Sequence, residues 1–139
     1  MTDAPMNARE LGLMSRAAVT AGDREAWLSL FADDAFVQDP IGPSAFDPEG
    51  KGHHGREAIA AFYDTVIASS EAIDFEIAES YLCGDEVADV GTIRTTLAGG
   101  QHQAVVRGVY TYRSNGAGKL ASLRAFWEFD ALELIELTG

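Results

Sequence analysis

The hydrophobic period of this chain changes once, near Ser70, and that change limits the folds open to it. Up to Val66 apolar residues recur at helical spacing, whereas from Ile73 onward they alternate with polar ones. On the helical side, Asn7 with Glu10 has the form of a capping box, Leu11, Met14 and Ala18 share one face, and Gly22 stops the turn. Asp23 caps a short second helix bearing Trp27, Leu30 and Phe31, with the Asp33-Asp34 pair at its end. A brief strand from Ala35 to Gln38 delivers Asp39 to a Pro40-Ile41-Gly42 corner. Pro, Gly, Ser and Asp then mark a loop of about fifteen residues up to Gly55, long enough to suggest function or mobility. A third helix follows, with Ala58, Ile59, Phe62, Tyr63 and Val66 as its apolar stripe.

Beyond Ser70, Ile73, Phe75 and Ile77 alternate with Asp74 and Glu76, and further strands run over Val87 to Leu97, Ala104 to Arg113 and Lys119 to Phe129. Gly99-Gly100 and Ser114-Asn115-Gly116-Ala117-Gly118 supply the turns. Helices followed by a strand meander predict an α+β domain, a curved antiparallel sheet with about three N-terminal helices on one face. The tail from Ala131 to Leu137 reads as a short helix or a partner surface. At 139 residues the chain suits one domain spanning 1–139, burying roughly 65–70% of its unfolded surface.

Charge narrows the function classes. A formal net charge of −12, spread along the sequence, argues against nucleic acid and anionic membrane as partners. Cys83 is the single cysteine, so no internal disulfide forms, and the reading is a reduced, cytoplasmic protein. His53 and His54 point apart in an extended chain and make no metal triad with His102, so neither metal nor cofactor is expected.

Strand alternation also predicts a wall. With Tyr110 inward, Val106, Gly108 and Tyr112 face the same way, and in the last strand Leu123, Ala125, Trp127 and Phe129 share a side with Arg124 opposed. An aromatic, apolar wall between sheet and helices suits a flat lipophilic ligand.

The runs AGDREAWLSLFADDAFVQDPIG, GREAIAAFY and YRSNGAGKLASLRAFW resemble those of bacterial ketosteroid isomerases. These belong to the nuclear transport factor 2-like superfamily, which also holds SnoaL-like polyketide cyclases and limonene epoxide hydrolase. The resemblance implies a cone-shaped fold around an apolar pocket, commonly a homodimer. It further implies that the aspartate of the DP-hydrophobic-Gly motif, here Asp39, moves a proton between carbons beside a carbonyl. The family's two oxyanion donors, a tyrosine and a protonated aspartic acid, fall on Ser15 and Tyr110, so both have changed. Tyr63 matches a tyrosine that supports the first donor, and Trp127 an aromatic pocket wall.

Three readings follow. The first is a steroid Δ-isomerase with Asp39 as base, Tyr110 as leading donor, Tyr63 and Ser15 as support, and Trp127, Phe129, Phe62, Val106 and Tyr112 around a steroid-like ligand. The second keeps the fold for cyclisation, hydration or epoxide opening; the last needs an Asp-Arg-Asp set, of which Asp39 and Arg124 supply only part if Arg124 faces outward. The third is a non-catalytic carrier or sensor of lipophilic ligands.

Overall fold

The computed structural model describes residues 4–137. In chain order it comprises α1 (Ala8–Ala21), α2 (Arg24–Ser29), β1 (Phe31–Gln38), β2 (His53–His54) and α3 (Arg56–Phe62), which runs on into a π-helical turn (Tyr63–Ile67). Then come β3 (Ala72–Cys83), β4 (Glu86–Thr96), β5 (His102–Ser114), β6 (Leu120–Phe126), a 3-10 turn (Phe129–Ala131) and β7 (Glu133–Glu136).

The helix boundaries follow local chemistry. The Asn7 side chain accepts from the Glu10 amide at 2.9 Å, and the Glu10 carboxylate accepts from the Asn7 amide at 3.1 Å. Such a cap contributes about 1 kcal/mol. Gly22 ends α1 at φ 67°, and Asp23 caps α2 through the Ala26 amide. The second helix stops earlier than its sequence suggests, at Ser29. The Leu30 carbonyl accepts from the Leu120 amide at 2.7 Å, and Phe31 pairs with Leu120. Long-range pairing thus draws Asp33 and Asp34 into β1, where both are exposed, instead of leaving them at a helix end.

The strands form one curved, unclosed sheet in the order β2-β1-β6-β5-β4-β3, with β7 also on β5. All pairings are antiparallel except β1 with β6, so the sheet is mixed. Its curvature has a specific hinge. Gly91 and Gly108 face one another across β4 and β5. A Cβ on Gly91 would run into the Glu76 carbonyl oxygen, and one on Gly108 into that of Phe126. Neighbouring strands can fold this close only over bare backbone.

That bend explains two departures from the sequence reading. β6 stops at Phe126, where its backbone closes over Gly108, and the chain turns away before Phe129. The tail is not a helix: it returns as β7 and takes the vacant stretch of β5, from His102↔Glu136 to Val105↔Glu133, with its side chains exposed.

α1 and α3 cover the concave face. Leu11, Trp27, Phe31, Val37, Ile59, Val87 and Leu120 are buried between them and the sheet. α1 comes so near that a Cβ on Gly12 would crowd the Tyr112 ring at 2.9 Å. Among the described residues no helix is long and apolar enough to cross a membrane.

Candidate active site

Asp39 lies one residue past β1, on the inward side shared by the fully buried Ala35 and Val37. The Ile41 amide donates to the Ala125 carbonyl at 3.0 Å, which ties the corner after Asp39 to β6. The indole Nε1 of Trp127 donates to Asp39 Oδ1 at 2.7 Å. Burial pushes the Asp39 carboxyl above the usual carboxylate range; the Trp127 hydrogen bond and the charge of His53 pull the other way.

Tyr110 and Tyr112 are buried on the inner face of β5, as alternation predicts. Burial raises the pKa of both phenols; the negative charge of Asp39 adds to the rise at Tyr110, while at Tyr112 the Arg16 guanidinium pulls the other way against burial. The Tyr110 ring extends over the glycine hinge, where its hydroxyl donates to the carbonyls of Val106 at 3.3 Å and Gly91 at 3.4 Å. Those are long O–H···O contacts, so the hydroxyl is loosely held.

The remaining expected donors sit elsewhere. Ser15 Oγ accepts from Trp27 Nε1 at 3.0 Å, and the Tyr63 ring lies 5.4 Å from Trp27. Burial raises the Tyr63 phenol's pKa, and the charges acting on it come from Asp23, Arg24 and Asp64. The structure therefore splits the set into Asp39, Trp127 and Tyr110 on the sheet, and Ser15, Trp27 and Tyr63 beneath the helices.

Among the wall residues, Phe62 is buried and Val106 half-buried. Phe129 is not a strand residue: it is 37% exposed in the turn, its ring centroid 4.8 Å from the tilted Trp127 ring and 5.4 Å from Phe46, which meets it edge-on. Phe46 belongs to the long loop, which Asp47 knits through its carbonyl to Gly50 N–H and its carboxylate to Gly52 N–H at 2.7 Å. Arg124 points outward, donating to Gln38 Oε1 at 2.9 Å beside Phe126, and so does not join Asp39.

His53 is the site residue that the sequence reading passed over. It pairs opposite Val37, lies against Phe62 with ring centroids 4.9 Å apart, and has a buried Nε2 with no partner. His54 turns outward onto Phe36. The alternation that disqualified the two as a joint metal site is the same signal that sends one of them inward.

A curved, unclosed mixed sheet with helices laid over its concave face is the cone of the nuclear transport factor 2-like class. Within it the chain belongs to the SnoaL-like domain family, whose model matches residues 14–123. It is 28% identical over 110 residues to a steroid Δ-isomerase of Nocardioides simplex, covering 79% of this chain and 80% of that one. The Δ5-3-ketosteroid isomerase structure from a Mycobacterium species is 37% identical with a TM-score of 0.87, over 96% of this chain and 100% of that one. A Mycobacterium tuberculosis protein solved with estradiol-17β-hemisuccinate is 38% identical with a TM-score of 0.84, over 94% and 99% of the two chains.

Proposed function

We propose that this protein binds a steroid-like ligand inside the cone and shifts a carbon–carbon double bond, with Asp39 as the proton carrier. The observation that carries the reading is the Asp39 carboxyl, half-buried at the end of β1 and fixed by Trp127 Nε1 at 2.7 Å. One oxygen is anchored and the other is available to lift a proton from a carbon beside a carbonyl and return it further along the conjugated system. The raised pKa brings the acid and base forms closer in energy near neutral pH, as a shuttle requires.

Negative charge then develops on the ligand's carbonyl oxygen. Tyr110 is the donor placed to meet it, by releasing its long contacts to Val106 and Gly91. Phe62, Val106, Tyr112, Trp127 and Phe129 wall the space, while Ser15 and Tyr63 act at a distance by holding Trp27. The kinship to steroid isomerases supports the substrate class, and the reading extends to a cytoplasmic homodimer. A non-catalytic ligand carrier is the second reading. It is favoured by the Ser15 hydroxyl already engaged with Trp27 and the Tyr110 hydroxyl already turned to backbone.

Ultraviolet-monitored isomerisation of a Δ5-3-ketosteroid tests the proposal. Turnover by wild type should fall about 10²–10⁴-fold in Asp39→Asn and about 10²–10³-fold in Tyr110→Phe. Steroid binding without turnover by wild type would reject the isomerase in favour of the carrier.

A further inference from the structure

A cavity of about 710 Å³ opens on the flank of α1 that faces the edge strand β3, and no residue assigned to the chemistry above lines it. Its volume falls within the range of small-molecule sites, about 300–1,000 Å³. Side-chain hydrogen bonds tie α1 to β3 at its two ends. Arg9 donates through Nε to Ser80 Oγ at 3.1 Å and through Nη2 to the Ser80 carbonyl at 3.3 Å, and Thr20 Oγ1 donates to the Ile73 carbonyl at 3.0 Å. Between these ties lie the apolar side chains of Leu13, Ala17, Phe75 and Ile77. The α1 residues of the lining run from Arg9 to Ala21 on one side of the helix, so the cavity is a groove about 18 Å long at 1.5 Å per residue. With one helix flank and one strand as its walls, it suits an extended chain better than a fused-ring ligand.

Charge gives the groove a direction. Arg16 enters it, but the completely buried Asp89 already meets that charge, its Oδ2 accepting from Arg16 Nη1 at 2.6 Å. Arg9 is placed differently. In a chain of formal net charge −12, Arg24, Arg94 and Arg107 each pair with a carboxylate, those of Asp64, Glu76 and Glu133. Among the described residues Arg9 has only the two uncharged acceptors of Ser80. A guanidinium carries five N–H donors, so these two contacts leave it able to hold a carboxylate as well. Asp74 lines the groove at the opposite end, next to the Thr20 tie, where its charge repels an anion. Leu13 is 55% exposed beside its apolar neighbours, and an alkyl chain laid in the groove would cover it.

We propose that this groove is a second binding site, for a linear alkyl carboxylate. Arg9 meets the carboxylate, and the chain lies over Leu13, Ala17, Phe75 and Ile77 toward Asp74. The site is separate from the cone and does not rest on the isomerase reading.

Isothermal titration calorimetry with sodium decanoate, held below the concentration at which it forms micelles, tests the site. Wild type should bind decanoate at least about tenfold more tightly than 1-decanol, which lacks the charge-assisted bonds to Arg9. Arg9→Gln should erase that difference and leave the affinity for decanol unchanged. Leu13→Asp, at an exposed position, should abolish decanoate binding by setting a like charge against the chain, and it keeps the test decisive if Arg9→Gln does not fold. Androstenedione, a ligand for the cone, should not displace decanoate. Equal affinities for acid and alcohol, decanoate affinity unmoved by both substitutions, displacement by androstenedione, or no decanoate binding would each overturn the site. Failure of androstenedione itself to bind would count against the steroid reading alone.

Discussion

Ionising Asp39 carries a cost, because burial disfavours the charged form of its carboxyl. Its folded pKa lies above the unfolded one, so the native state binds more protons between the two values, and stability falls as pH rises through that window. Asp39→Asn keeps an acceptor for Trp127 and removes the charge. Its melting temperature should therefore exceed that of wild type at pH 7, with the gap closing below the unfolded carboxyl pKa; a lower melting temperature at pH 7 would contradict the raised pKa. Catalysis runs in the opposite direction, since only the carboxylate accepts a proton. Trp127→Phe deletes the bond that holds the pKa down, so the acidic limb of kcat/KM should move to higher pH, as a pH-rate profile would show. The Arg16–Asp89 pair behaves differently from either. Arg16→Ala leaves a buried carboxylate uncompensated and should cost about 3–5 kcal/mol in urea unfolding.

At the level of elements, the glycine hinge is the most sensitive feature. Gly108→Ala forces the β6 backbone off β5, a strain of about 1–3 kcal/mol by analogy with overpacked cores. Gly91→Ala should cost a similar amount, and because the two residues face each other the double variant should deviate from additivity in urea unfolding. These glycines also mark the limit of what sequence can tell. The caps of α1 and α2, the course of β3 to β6 and the inward facing of Tyr110 and Tyr112 were legible, since each depends on residues within a few positions. The early end of α2, the parallel β1–β6 pairing and the return of β7 were not, because Leu30 meets Leu120 and Val105 meets Glu133 only in the folded sheet. The site divides in the same way. Asp39 announced itself through its motif, but Trp127 reaches it from 88 positions away. Arg16 on a helix and Asp89 on an alternating strand read as solvated charges until α1 lays one on the other.

At the scale of the whole molecule, two properties pull against each other. The chain carries a formal charge of −12, yet Phe46, Phe126, Phe129, Leu134 and Ile135 stand exposed around the end of β6, the following turn and β7. Exposed apolar side chains concentrated in one region usually mark a surface that is covered in solution, and the proposed homodimer would cover it. Two such chains repel one another, however, and salt weakens that repulsion within about 10 Å at 0.1 M while strengthening apolar association. The dimer fraction seen by light scattering should therefore rise with ionic strength, the reverse of an interface held by ion pairs. Leu134→Asp places a further charge on the exposed face of β7, where Leu134 is 61% exposed and its loss should cost the monomer within about 0.5 kcal/mol. It should shift the protein toward monomer without a comparable drop in melting temperature measured at low protein concentration. A dimer that persists in Leu134→Asp and dissociates as salt is added would place the interface on a charged face instead of this one.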